Sequence, residues 1–214
     1  MRLIVLAKSP ASGRSKTRLC PPCTPAQAAR VAEAALHDTL DACRGTRADD
    51  LVIALDGPVR EWAQGFRIIR QRGDGLDERI SSAFADAGPE REGTLLIGMD
   101  TPQVTSATLD AAMGRLLEPG VSGVLGPASD GGWWAMGLRD PEPEYVVGVP
   151  MSSPHTLARQ RERWDRLGVA RAELCTLTDI DTFQDALGVA ASIPSSRTAA
   201  VVEALAERMV VATW

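Results

Sequence analysis

Short apolar runs alternate along this chain with longer stretches of helical period. Runs at Leu3–Ala7, Leu51–Leu55, Phe66–Ile69, Thr94–Gly98, Ser122–Leu125, Trp133–Leu138 and Glu173–Leu177 predict strands. Between the first two, Ala28, Val31, Ala32, Ala35, Leu36, Leu40 and Cys43 share one helical face, behind Thr24 as cap and Pro25 as first residue. A turn at Gly73–Arg79 opens a helix with Ile80 and Phe84 on its buried side. Further helices are expected near Ser106–Leu117 behind Thr105, near Phe183–Leu187 behind Asp181 or Thr182, and at Arg197–Val211 with Val202, Leu205, Ala206, Met209 and Val210 on one stripe. Strands and helices in alternation predict an α/β fold of three layers around a mainly parallel, mixed sheet. No repeat or long linker interrupts the pattern, so residues 1–214 are expected to form one domain.

Composition enters by what it excludes. Hydrophobic residues make up 44% and charged residues 24% of the 214 positions, enough apolar surface to fill a core. No apolar run approaches the roughly 18–20 residues that cross a bilayer. The first run is broken at Lys8, too early for an export signal. A net charge of −5 argues against general nucleic-acid binding. The expectation is a soluble cytoplasmic protein with neither nucleic acid nor membrane as partner. Cys20-Pro-Pro-Cys23 has CxxC spacing but no second pair, and reads as two small apolar side chains in a proline-stiffened turn.

In open α/β sheets ligands bind beyond the carboxyl ends of the strands, and three strand ends carry chemistry here. The first delivers a basic loop with Lys8, Gly13, Arg14, Lys16, Thr17 and Arg18; with Arg2, the first twenty residues hold five cations and no acid. Backbone N–H groups and cations in such a loop suit a polyphosphate. It is not a Walker A loop, because Pro10 and Ser15 stand where that motif needs glycine. The strand Thr94–Gly98 runs on to Asp100, a hard oxygen ligand suited to Mg²⁺ (or Mn²⁺), with Pro102 keeping Thr101 extended. After the next strand, Asp130-Gly131-Gly132 forms a turn where substrate can approach the backbone, and either Trp133 or Trp134 forms a pocket wall. Asp179, or Asp181, is placed to supply a second metal oxygen. Of the two histidines, His37 reads as a surface residue. His155 lies at an expected helix start, with Ser153 capping and Pro154 first, where an acceptor anion could bind.

In this order the pieces resemble the bacterial glycosyltransferase-like, CofC-like family of the nucleotide-diphospho-sugar transferase (GT-A) superfamily, of the kind found in arsenosugar-type gene contexts. The resemblance is carried by Ala7–Leu19, Gln71–Arg79, Ile97–Pro102, Gly126–Gly132, Val149–Thr156 and Asp179–Thr182. The chain departs from the family pattern at Met99, Thr101, Asp77 (for a glycine) and Trp133 (for a tyrosine). The resemblance implies a nucleotide-using transferase and puts the turn at Gly75 near the nucleoside, with Arg79 a contact.

The fold hosts both nucleotidyl and glycosyl transfer. For nucleotidyl transfer, an NMP moves from a nucleoside triphosphate to a small phosphorylated or carboxylated acceptor, and pyrophosphate departs. Lys16, Arg14 and Arg18 then meet the departing charge and Asp100 the metal. For glycosyl transfer from a nucleotide-sugar, an Asp-x-Asp motif is usual; here Asp100-Thr-Pro102 offers one acid, though Asp130 could act as base. The first reading is preferred, the second is the alternative, and a nucleotide-binding module without catalysis is the third. A homodimer is compatible with all three.

Overall fold

The computed structural model describes residues 1–89 and 92–211, with side chains as far as residue 209. The strands are β1 (Arg2–Lys8), β2 (Asp50–Asp56), β3 (Arg67–Arg70), β4 (Thr94–Gly98), β5 (Gly123–Pro127), β6 (Trp133–Leu138) and β7 (Arg171–Glu173). They form one sheet in the order β3-β2-β1-β4-β6-β5-β7. All run parallel except β6, which is antiparallel to β4 and β5. The chain winds outward from β1 to β2 and β3 and then returns to place β4 on the other side. The switch point between β1 and β4 is where such folds open a crevice.

Helices α1 (Pro25–Arg44), α2 (Leu76–Asp86), α3 (Ser106–Leu116), α4 (Thr156–Leu167), α5 (Phe183–Ser192) and α6 (Arg197–Val211) cover the sheet. Alternate residues of each strand enter different cores. Leu3, Val5, Leu95 and Ile97 pack with Leu36 and Leu40 of α1 and Leu109 of α3. Ile4, Val52 and Leu96 pack with Ile80 and Phe84 of α2 and with Leu157 and Trp164 of α4. Burial on both faces explains why the strands read as continuous apolar runs. A third core, with Leu19, Val31, Ile180, Val189 and Val202, joins α1 to α5 and α6. Thr24 and Thr105 cap α1 and α3 with their side chains, as the sequence predicts, and of Asp181 and Thr182 it is Thr182 that caps α5. Among the described residues no helix is long and apolar enough to cross a membrane.

Two elements differ from expectation. The strand expected at Glu173–Leu177 forms earlier, at Arg171–Glu173, and shares only Glu173 with the expected run. Beyond it, β5 changes register at Gly126/Pro127, the Cys175 carbonyl accepts from Trp134 Nε1 at 2.9 Å, and Leu177 returns as a single bridge to Ala128. Helix α4 starts at Thr156, without Pro154. Ser153 builds the preceding turn instead, its Oγ accepting from the His155 N–H and its N–H donating to Thr156 Oγ1. The cysteines are free thiols, Cys23 and Cys43 buried and Cys175 exposed. The Val210 side chain and Trp214 lie outside the described residues.

Candidate functional site

A cleft of about 840 Å³ opens over the carboxyl ends of β1 and β4, on the side of the sheet covered by α2 and α4. Leu6, Leu96 and Gly98 belong to its floor. A Cβ on Gly98 would approach only the Asp100 nitrogen, at 4.0 Å, so β4 leaves room where a side chain would have filled the crevice.

The loop after β1 closes a turn on Ala11, and Arg14 and Ser15 of that turn line the cleft. The Arg14 and Ser15 N–H groups both donate to the Ala11 carbonyl, and Ser15 Oγ accepts from the Ala11 N–H. Two of the loop's backbone N–H groups are thus engaged within the loop itself. Gly13 takes φ +74°, stands clear of other atoms and lies outside the cleft lining. Arg2 is also no part of the site: it sits at the opposite end of β1, bound to Asp50 and to the Gly88 and Pro89 carbonyls. The cations that do line the cleft are Lys8, Arg14, Lys16, Arg18 and Arg79, with Thr17 beside them.

Lys16 is the centre of the charge arrangement. Its Nζ lies 2.7 Å from Asp100 Oδ2 and 3.5 Å from Asp181 Oδ1, and its side chain is 8% exposed. Arg18 Nη1 takes the other Asp181 oxygen at 2.8 Å. Burial alone would lower the Lys16 ammonium, but Asp100, Asp181 and Asp179 outweigh it and raise its pKa above the ordinary lysine value. The Asp179 pKa is raised as well, which for a carboxyl favours the neutral form. Burial first, then the charges of Asp100 and Asp130, push its carboxyl up to about 7 against the pull of Lys16. Its Oδ1 is buried without a hydrogen-bond partner.

On the half of the cleft over β1–β3, Lys8 and Arg79 flank Asp56 at 3.6 and 3.7 Å. Gln71 ties the ends of two strands by donating to the Ala7 and Ala54 carbonyls. Asp56 ends an apolar strand as Asp100 follows one, and it pairs with both cations without itself lining the cleft. Gly75 is not in the cleft lining: it precedes α2, where a Cβ would come within 2.3 Å of Asp77 Oδ1. Asp77 itself accepts from the Gly148 N–H at 2.8 Å and so ties α2 to the segment before α4.

On the half over β4, β6 and β5 lie Asp130, Gly132, Trp133, Met151, Ser152 and Ser153. Asp130 is exposed, and its Oδ1 accepts from the Gly132 N–H. Gly131, expected to meet substrate, is instead a packing glycine at φ +88°, where a Cβ would lie 2.1 Å from the Pro154 carbonyl oxygen. Both tryptophans border the cleft; Trp133 is half-buried there, whereas Trp134 is 1% exposed and packs into the core on the other side of the sheet. His155 does not line the cleft, and the start of α4 is not open to an anion: the Thr156 and Leu157 N–H groups already donate to Ser153 and Gly131 carbonyls. Among the described residues only Lys16 and Ser152 combine a side chain with positive φ, +51° and +55°, and both line this cleft. Such strain gathers at functional sites.

Asp100, Asp179 and Asp181 offer the hard oxygens that Mg²⁺ or Mn²⁺ takes, and the unpartnered Asp179 oxygen is a free donor. As they stand, no three acidic, histidine or cysteine side chains among the described residues converge closely enough to cage a metal. The Lys16 ammonium lies against two of the three carboxylates.

The sheet order and the crevice at its switch point define a GT-A-like fold, that of the nucleotide-diphospho-sugar transferases. Within that class the chain belongs to the family described as "Uncharacterized protein conserved in bacteria (DUF2064)", whose family model matches residues 27–153. Among solved structures, it is similar to a presumptive nucleotide-diphospho-sugar transferase of Desulfovibrio desulfuricans G20, with 24% identity, TM-score 0.84, and coverage of 94% of this chain and 93% of that one. CMP:2-keto-3-deoxy-manno-octonic acid synthetase, solved with CTP, matches at 12% identity and TM-score 0.55 over 84% of this chain and 92% of that one. Glucosyl-3-phosphoglycerate synthase of Mycobacterium tuberculosis, solved with Mg²⁺ and UDP, matches at 14% identity and TM-score 0.51, over 83% and 69%. At these identities the likeness establishes the fold. No curated protein matches the chain.

Proposed function

We propose that this protein is a metal-dependent nucleotidyltransferase, moving an NMP from a nucleoside triphosphate to a small acceptor with release of pyrophosphate. The observation that carries the reading is the 2.7 Å pair between Lys16 of the basic loop and Asp100 after β4, at the switch point of the sheet. It sets the residues suited to a polyphosphate directly against those suited to its metal. The complex of one fold relative with CTP supports the reading, and that of another with Mg²⁺ and UDP supports its use of a metal and a nucleotide.

In this reading Asp100, with Asp179 and Asp181, holds Mg²⁺ or Mn²⁺. When bound, the ion supplies positive charge at the phosphoryl oxygens and the leaving group. Lys16, Arg14 and Arg18 neutralise the departing pyrophosphate, and Lys8 and Arg79 flank the half of the cleft that takes the nucleoside. The acceptor lies over Trp133, Met151 and Ser152. Among the described residues this half carries no Lys, Arg or His in its lining, so the acceptor's anionic group is best placed as the attacking group itself, at the metal. A phosphate or carboxylate there attacks the α-phosphorus already deprotonated and needs no base.

Thermal denaturation with ATP, GTP, CTP or UTP, with and without Mg²⁺, tests the proposal. At least one triphosphate raises the melting temperature with Mg²⁺, and Asp100→Ala abolishes the rise. Stabilisation by nucleotide-sugars and by no triphosphate would replace it with glycosyl transfer. That second reading is favoured by one observation, the exposed Asp130 carboxylate beside the Trp133 wall, placed to serve as a base for an acceptor hydroxyl.

A further inference from the structure

The acid cluster at the cleft already contains a cation. Lys16 Nζ touches Asp100 Oδ2 at 2.7 Å and reaches Asp181 Oδ1 at 3.5 Å, almost out of contact with water. Asp179 adds a third carboxylate to the same field, with one oxygen buried and unpartnered. A divalent ion bound here would need Asp100 oxygens at about 2.0–2.2 Å, on the carboxylate that the ammonium now holds. Two like charges cannot share that carboxylate without strong repulsion. Among the described residues no three ligands stand ready for a metal, as expected of a cluster drawn around a lysine.

The ammonium also has somewhere to go. Lys16 sits between the turn closed on Ala11 and the short helical turn Thr17–Leu19, with its backbone at φ +51°. Arg14 lines the same cleft and is exposed, with no ion-pair partner among the described residues. A polyphosphate beside Arg14 offers Lys16 anionic oxygens in exchange for Asp100.

We infer that Lys16 is the resident counterion of the metal site in the nucleotide-free protein, and that metal and polyphosphate enter by exchange. Phosphate oxygens draw the ammonium off Asp100, and the divalent ion takes the released carboxylate. Lys16 thus holds the acid cluster together before substrate arrives and meets the phosphates afterwards. The site stays closed to free metal until nucleotide is present. This rests on the metal-dependent reading above.

Mn²⁺ titration followed by electron paramagnetic resonance of the free ion separates the possibilities without turnover. It is applied to the full chain, to Lys16→Met and Lys16→Gln, and to Asp100→Asn, each confirmed as folded by circular dichroism. The parent protein binds Mn²⁺ alone weakly. Each Lys16 variant that folds binds it at least tenfold more tightly, and adding inorganic pyrophosphate tightens Mn²⁺ binding more in the parent than in these variants. Asp100→Asn loses the site. Mn²⁺ binding by the Lys16 variants no tighter than the parent's would overturn the exchange, even if triphosphate and Mg²⁺ stabilise the protein as proposed. Absence of Mn²⁺ binding from every form, with pyrophosphate or without, would remove the exchange and the metal-dependent reading together. If both Lys16 variants fail to fold, Lys16→Arg decides: weak Mn²⁺ binding alone and strong binding with pyrophosphate sustains the exchange, and equal affinities end it.

Discussion

Asp179 combines a buried, unpartnered oxygen with the neighbouring charges of Asp100, Asp130 and Asp181. Burial and these charges favour its neutral form, with a carboxyl pKa up to about 7 against an ordinary 3.8. Between those two values the folded protein keeps a proton that the unfolded chain has lost. Stability contributed by this group therefore falls as pH rises from about 4 to 7. Asp179→Asn is expected to be more stable than the parent at pH 8 by roughly 2–4 kcal/mol and nearly equal to it at pH 4, close to the unfolded value and well below the folded one. Urea unfolding at the two pH values in metal-free buffer measures this, and matched stabilities at pH 8 would mean that the carboxylate ionises freely in the fold. None of this was legible in sequence. The Asp179-Ile-Asp181 spacing nominated both acids without telling the buried one from the one paired to Arg18. The glycines were likewise ambiguous: Gly131 is required by the approach of Pro154, while Gly98, not singled out, leaves the cleft its room.

At the scale of elements, the strands are joined at their N-terminal ends by Asp50. It accepts from Arg2 of β1 and Arg67 of β3, and the two guanidiniums also bind carbonyls of Ala87, Gly88 and Pro89. Burial would raise the Asp50 carboxyl, but the two arginines outweigh it and hold it below the ordinary value. Its stabilisation is present at neutral pH and is lost as pH falls through the lowered pKa. Asp50→Asn is expected to cost about 2 kcal/mol at pH 7, with the gap to the parent narrowing on acidification below pH 4. A pH-independent gap in chemical denaturation would contradict the assignment. Element boundaries were readable wherever apolar period and caps agreed. β4, β6 and α6 have the expected limits, and Thr24 with Gln27 forms a full capping box at α1. They were misread where a long-range partner decides. β7 is short because β5 changes register and Trp134 takes the Cys175 carbonyl, and α4 starts late because Ser153 spends its hydroxyl on the preceding turn.

For the whole molecule, the cleft joins the loop after β1, the end of β4, the segment before α4 and the segment before α5. A ligand spanning them binds only the folded state. At a hundredfold excess over its dissociation constant, a triphosphate with Mg²⁺ adds about 2.7 kcal/mol, a rise of about 5–10 °C in melting temperature for a chain of this size. A rise that persists without Mg²⁺ and in Asp100→Ala would show binding by the loop cations alone. The sequence by itself determined the α/β class and nominated Lys16, Asp100 and Asp130, at strand ends that line the cleft, because strand burial, helix caps and strand-end position are properties of short segments. Only the tertiary structure decided that Lys16 rests on Asp100 and that Asp179 is buried. It also decided that Trp133 faces the cleft and that Gly13, Gly75, Gly131 and His155 do not line it. Contacts between residues some eighty to a hundred and sixty positions apart follow from the order in which strands join the sheet, and no local pattern encodes that order.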